Sequence, residues 1–118
     1  MHTVNLATKF ALIQDFWSPK AVAAVNDAQV KLVKLKGEFV WHAHEVEDEL
    51  FLVVSGRLRM QFRNREEVIA PGEFIVVPHG TEHRPVADEE THVLLIEPAS
   101  TVNTGTAGGA RTRDVEWI

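Results

Sequence analysis

The stretch His42-Ala43-His44-Glu45-Val46-Glu47-Asp48-Glu49-Leu50-Phe51-Leu52-Val53-Val54-Ser55-Gly56 decides how the chain folds. It sets two histidines two apart, a carboxylate five residues after the second, and an apolar run that ends at a glycine. On an α-helix, residues two apart point roughly 200° away from each other, so the pair cannot close on one ion. On a β-strand they share a face, about 6.6 Å apart along the chain, and their rings can converge on a metal. The spacing therefore predicts a strand. Phe39, Val40 and Trp41, just before the pair, are of the β-branched and aromatic kind that strands favour.

After Glu49 the apolar run continues to Val54, and Ser55-Gly56 reads as a tight turn. Arg57-Leu58-Arg59-Met60-Gln61-Phe62-Arg63 then alternates strictly, the clearest strand signal in the chain. Pairing the two runs as a hairpin sets Val53 opposite Leu58, Phe51 opposite Met60 and Glu49 opposite Phe62, and directly opposed residues share a face. With Glu49 inward, the expected pocket wall is Val40, Phe51, Val53, Leu58, Met60 and Phe62. The same register turns Leu50, Leu52 and Val54 outward beside Arg57 and Arg59. An apolar outer face needs a cover. Either the N-terminal segment folds over it or two copies of the chain meet there as a homodimer.

Further strands are expected at 66 to 70, 74 to 78 and 91 to 97, separated by Pro71-Gly72 and by His79-Gly80-Thr81-Glu82. Upstream, 21 to 25 and 29 to 36 flank Asn26-Asp27 as a hairpin whose second arm is apolar on both faces, Lys31 sharing one of them with Val33 and Leu35. Leu6, Phe10 and Ile13 at helical spacing predict a short helix or turn, stopped by Trp17-Ser18-Pro19. Residues 99 to 112, rich in Thr, Gly, Ala and Asn, are expected to be flexible, and the terminal Trp117-Ile118 pair to dock. The count is eight or nine short strands with almost no helix. That predicts an all-β, antiparallel sandwich or barrel with its core over about 20 to 98.

A chain of 118 residues is expected to be one domain, 1 to 118. Its net charge of −5, without a basic cluster, argues against a nucleic-acid partner or an anionic membrane. The absence of cysteine excludes disulfides and thiolate ligands and fits a cytoplasmic protein. No apolar run approaches the eighteen or so residues of a membrane span, and the first residues carry no basic-then-apolar leader pattern, so a soluble, unprocessed chain is expected.

On these residues the chain resembles the small single-domain cupins. Their first motif, a Gly, His-x-His, a Glu and a Gly six residues beyond, reads here as Gly37, His42, His44, Glu49 and Gly56. Their second, Gly, five residues, Pro-x-Gly, two residues and His, reads as Gly72, Pro78, Gly80 and His83. Two positions depart: four residues rather than five separate Gly37 from His42, and Ala87 stands where the family usually has Asn. The resemblance implies a cupin-type barrel or jelly roll of two packed sheets with one divalent metal inside, held by His42, His44, Glu49 and His83. Asp48 also fits the shorter permitted spacing, but only Glu49 leaves six residues before Gly56. His79, in a turn, and His92, near a strand start, are not expected to be ligands, and Trp41 has the opposite parity to the pair.

Three imidazoles and one carboxylate suit borderline ions such as Fe²⁺, Mn²⁺, Co²⁺, Ni²⁺ or Zn²⁺, and a six-coordinate ion keeps two positions for water or substrate. Apart from the ligands, the sequence offers no inward general acid or base. The expected wall is apolar and favours a small molecule that chelates through oxygen. Two functions from different classes follow. The first is a metal-dependent enzyme of small-molecule metabolism, oxygenase-, isomerase- or lyase-like, using the ion as Lewis acid or O₂ activator. The second is a non-catalytic module that binds or senses a metal-held small molecule. A storage-like structural role fits a complete ligand set poorly.

Overall fold

The computed structural model describes residues 1–118. One short helix, α1 (Leu6–Phe10), precedes eight strands: β1 (Lys20–Val25), β2 (Ala28–Glu38), β3 (Glu49–Ser55), β4 (Leu58–Phe62), β5 (Glu66–Ile69), β6 (Phe74–Val77), β7 (His83–Pro98) and β8 (Glu116–Trp117). The axis of the fold is β7. Along one edge it pairs antiparallel with β2 from Glu38↔Val86 to Ala28↔Pro98. Along its other edge it takes β4 first, Phe62↔His83 to Arg59↔Val86, and then β3, Val53↔Val93 to Leu50↔Ile96. One half of the fold therefore reads β5-β4-β7-β2 and the other β6-β3-β7-β2-β1-β8. The result is a sandwich of two sheet halves that share their two long strands and do not close into a ring.

The bend between the halves has a local cause. The register of β2 against β7 shifts between Leu35 and Gly37, where Gly37 has φ +84°. A bulge at a residue free to take positive φ bends a strand and raises its twist, which lets one strand serve two layers.

The expected hairpin of β3 with β4 is not formed. β3 pairs with β6 and β7, and β4 with β5 and β7, so the two lie end to end along one edge of β7. Gly56, at φ +85°, carries the chain from one half to the other. A Cβ there would lie 2.5 Å from Thr91 Oγ1, and Arg57 N donates to that same oxygen at 3.1 Å. Val53 is thus not opposite Leu58, nor Phe51 opposite Met60, nor Glu49 opposite Phe62. Alternation identifies the buried face of each strand and is silent on its neighbour. The faces are as expected: Glu49, Phe51 and Val53 on β3, and Leu58 and Met60 on β4, are buried.

The hairpin of β1 and β2 forms as expected, with Val25↔Ala28 closing a turn in which Asn26 takes φ 53°. Asn5 caps α1 by accepting from Thr8 N at 2.9 Å, and Phe10 and Ile13 pack on Leu32 with Val54 and Leu94 beside them. The N-terminal segment therefore covers part of the outer face. Leu50 and Leu52 remain half-buried there, next to exposed Phe74, Val76 and Ile96. Arg59 lies outside, paired with Glu66 at 2.8 Å and Asp88 at 2.9 Å.

Residues 99 to 112, expected to be flexible, are held at several points, while 106 to 110 are exposed. Thr101 and Thr104 are buried, Thr106 N donates to Ala43 O at 2.8 Å, and Ala43 N donates to Thr106 Oγ1 at 3.1 Å. Small residues here pack through their backbone rather than through large apolar side chains. At the C-terminus β8 runs parallel to β1, Ile118 N donates to Ala21 O at 3.1 Å, and Trp117 itself stays exposed.

Candidate metal centre

The four residues of the two motifs meet inside the sandwich. Glu49 opens β3 and His83 opens β7, whereas His42 and His44 lie on an extended segment between β2 and β3 rather than on the regular strand the spacing predicts. That segment is tied down from two sides. His42 and His83 exchange backbone hydrogen bonds of 3.0 and 2.9 Å, and Gly80 N donates to His44 O at 2.7 Å. The backbone of His44 is thus taken by the Gly80 turn and by the 99 to 112 segment next to it, which leaves no free edge for a longer strand.

All four residues are buried, each no more than 5% exposed, and one ligand atom from each lies within 4.8 Å of the others. The ring centroids of His42 and His83 are 4.3 Å apart, and those of His42 and His44 are 5.0 Å apart. Opposite ligands of one ion with bonds near 2.1 Å stand roughly 4.2 Å apart, so small side-chain rotations suffice to bring the four onto one centre.

The donor chemistry fits a metal. His42 Nδ1 lies 2.9 Å from Val40 O and His83 Nδ1 2.8 Å from Thr81 O. A backbone carbonyl accepts only from an N–H, so in both rings the proton sits on Nδ1 and the Nε2 lone pair faces inward. His44 Nε2 lies 2.8 Å and His83 Nε2 3.5 Å from Glu49 Oε1. Those three atoms are buried without hydrogen-bond geometry to any partner. His44 Nδ1 is likewise without a partner, so nothing in the chain fixes that ring's proton, and a cation would meet the lone pairs that converge here.

Electrostatics point the same way. Burial, and then the charge that His83 would carry beside it, lower the His42 imidazole to about 4, so it is neutral and able to ligate at ordinary pH. Burial alone would raise the Glu49 carboxyl, but close polar contacts with Glu97, His44 and His83 carry it well below the usual carboxylate range.

Asp48 is exposed and accepts from His79 N at 2.9 Å, with His79 Nδ1 at 2.8 Å from the same oxygen. It fastens the turn of the second motif and leaves the inner position to Glu49. His92 stacks on Phe10 at 4.6 Å on the outer face. Trp41 faces outward under the Arg63 guanidinium, 3.9 Å from its ring.

A model of the cupin domain matches residues 30–97. The chain belongs to the cupin family. A crystal structure of a cupin-2 domain containing protein from Shewanella frigidimarina is 46% identical, with a TM-score of 0.79 over 80% of this chain and 93% of that one. Protein NMB1881 from Neisseria meningitidis is 32% identical, with a TM-score of 0.76 over 83% of this cupin and all of that chain (100%). The Bacillus subtilis "uncharacterized protein YdbB" is 36% identical over 78 residues, 65% of this chain and 69% of its own.

A cavity opens beside the four residues, bordered by His42, Glu49, Phe51, Trp17, Phe39, Asn103 and Glu97 among others. Its volume is about 40 Å³, room for a few water molecules. Of the six residues expected to form its wall, only Phe51 borders it. Val53, Leu58 and Met60 are sealed within the apolar core, and Val40 and Phe62 are half-buried at its edge. Besides Phe51, the wall is formed by Trp17 and Phe39, stacked at 4.8 Å, and by residues of β2 and β7.

The sequence reading missed an inward acid. Glu97 borders the cavity, its carboxyl within hydrogen-bonding reach of Glu49, and Lys31 Nζ donates to its Oε1 at 2.9 Å with both side chains buried. Burial and the neighbouring Glu49 raise the Glu97 carboxyl well above its usual range, against the pull of Lys31. The signal was present as parity. Glu97 shares a face with Val93 and Leu95, and Lys31 with Val33 and Leu35.

Proposed function

We propose that this cupin holds one divalent transition-metal ion, of the Fe²⁺, Mn²⁺, Co²⁺, Ni²⁺ or Zn²⁺ group, on His42, His44, Glu49 and His83, and acts as a metal-dependent enzyme on a small oxygen-chelating molecule. The observation that carries it is the convergence of unpaired nitrogens and a carboxylate oxygen, two of the rings turned inward by backbone carbonyls on their other nitrogen. When bound, the ion supplies a Lewis acid or a centre for O₂ chemistry. The chain supplies the rest. His42 and His83 are held in one tautomer, Glu49 offsets positive charge, and the Trp17–Phe39 stack with Phe51 gives an apolar seat that excludes water from the reacting end. Glu97, an inward acid at the cavity border, offers a group to hold a proton there, and this favours the enzyme reading over a non-catalytic binding module.

We also propose that the protein is a cytoplasmic homodimer, with the half-buried Leu50 and Leu52 and the exposed Phe74, Val76 and Ile96 as the surface for the second copy. The enzyme reading is tested by loading the protein with Fe²⁺ or Mn²⁺ in air, offering a panel of small hydroxy and keto acids, and following products by mass spectrometry. Turnover that vanishes in His83→Ala supports it. Stoichiometric binding without turnover across the panel favours the binding module.

A further inference from the structure

The cavity is too small, as it stands, for anything much larger than a few water molecules, so a larger ligand needs a part of the wall to move. One residue of the lining, Asn103, comes from the segment after β7 that belongs to no strand. Residues 103 to 113 leave the body of the protein there and return to it as a strap. Asn103 closes the neck: its Nδ2 donates to Arg111 O at 2.9 Å, and its Oδ1 accepts from Arg113 N at 2.9 Å. Beside it the hydroxyl oxygens of Thr104 and Thr112 lie 2.5 Å apart. From that neck Arg111 reaches over the cavity wall. Its guanidinium lies 4.9 Å from the ring of Phe39 and 5.7 Å from that of Trp17, and its Nη1 donates to Glu38 O at 2.9 Å.

The strap is held by polar contacts. Apart from Asn103 and the two arginines it carries no side chain larger than threonine, and residues 106 to 110 are exposed, so no large apolar group anchors it. A surface segment fixed by a few hydrogen bonds opens at much lower cost than a core strand, and lifting this one breaks no strand ladder. Trp17, beneath Arg111, is itself strained: its φ of 61° lies in the left-handed region that bulky residues avoid. Three hydrogen bonds keep it there. Trp17 N donates to Lys34 O at 2.9 Å, Trp17 Nε1 to Lys36 O at 2.8 Å, and Asn103 Nδ2 to Trp17 O at 3.4 Å. Strain of this kind collects at ligand clamps and switch regions, and here one of the bonds that hold it comes from the strap.

We propose that residues 103 to 113 gate the cavity and that Arg111 is the latch. With the guanidinium seated on Phe39 and Trp17 only water-sized molecules are admitted; a larger ligand enters when Arg111 leaves the rings and the strap lifts. The gate belongs to the cavity rather than to a metal, so it is tested on the chelator-treated chain, and its failure is told apart from failure of the metal-site reading.

Diethyl pyrocarbonate is larger than water and acylates neutral imidazoles. His42 borders the cavity, and exposed His2 serves as an internal reference. With modified sites read by peptide mass mapping, His42 should react far more slowly than His2. Arg111→Ala should raise the His42 rate about tenfold at an unchanged His2 rate, the scale of one cation–π contact and one hydrogen bond removed. Arg113→Ala takes the same charge from the same strap, but that guanidinium donates only to Ala110 O and Thr112 O, so the rate should stay near that of the wild type. The chain has no cysteine, so Thr104→Cys with Thr112→Cys introduces a single pair, at two oxygens 2.5 Å apart where a disulfide needs about 2.05 Å. Oxidised, this variant should react at His42 more slowly than the wild type, and reduction should restore the rate. The proposal is overturned if wild-type His42 reacts as fast as His2, if Arg111→Ala leaves its rate unchanged, if Arg113→Ala raises it as much, or if the oxidised and reduced double variants react alike. Should Arg111→Ala fail to fold, the double variant decides.

Discussion

Two regions of the interior are built on the same alternating strands and do opposite things. Around Val53, Leu58, Met60 and Val93 every side chain is apolar and none is exposed. A few residues away, around Glu49, His83 and Glu97, the side chains are as buried but carry polar atoms without partners. On β3, Glu49 and Val53 share the same inward face four residues apart. Burial stabilises the first region at roughly 25 cal/mol per Å² of apolar area and penalises the second. The apolar region therefore holds the fold, and the polar region is held by it, ready for a ligand it cannot supply itself.

The largest effect that separates the two is expected from the apolar region. Leu58→Ala should lower unfolding stability by about 2–5 kcal/mol in denaturant titration. The folded fraction should still bind metal, since Leu58 belongs to the apolar cluster and is none of the four candidate ligands. A loss below about 1 kcal/mol would mean that the core is looser than its burial indicates.

A smaller effect belongs to the polar region and depends on pH. The His42 imidazole titrates near 4 in the folded chain and near 6.5 when unfolded, so between those values the unfolded state binds more protons. The metal-free protein should hold this contribution in full above pH 6.5 and lose it as pH falls toward 4, by at most about 3 kcal/mol. Glu97, raised above its usual range, acts in the opposite sense. The clean reading is thus the difference between wild type and His42→Ala: the variant should show a flatter fall in stability from pH 6.5 to 4, and parallel curves would refute the assignment.

The outer surface gives the mildest contrast. Val54 and Leu94 lie under Phe10 and Ile13, whereas Leu50 and Leu52 sit beside exposed Phe74, Val76 and Ile96. Leu52→Glu should shift the sedimentation profile from dimer to monomer with less than about 1 kcal/mol change in monomer stability. An unaltered profile would count against that face as the contact between copies.

Much of this is legible in the sequence. The parity of His42 and His44, the alternation through Leu58 and Met60, and the Gly72, Pro78, Gly80 and His83 spacing locate the four buried residues and the faces of β3 and β4. What stayed hidden was what alternation cannot encode. It names the inner face of β3 but not whether β4 or β7 lies beside it, and the choice rests on a 16-residue strand long enough to receive both in series. Gly105 shows a second limit. It reads as a loop residue, yet a Cβ there would lie 2.2 Å from Ala43 O and 3.1 Å from His44 Nδ1, so the segment is fitted by the lack of a side chain. Lys31 and Glu97 show a third, because parity puts each on an inward face but cannot say that the two meet there.

The central claim is that the polar region is a metal site, and metal content per chain tests it most directly. Protein purified without chelator or nickel affinity resin should contain, or take up when offered Fe²⁺, Mn²⁺, Co²⁺, Ni²⁺ or Zn²⁺, about one ion per chain by elemental analysis. His42→Ala and His83→Ala should fold and hold far less. Wild type that neither contains nor takes up any of these ions, or variants that keep the full wild-type content, would contradict the account.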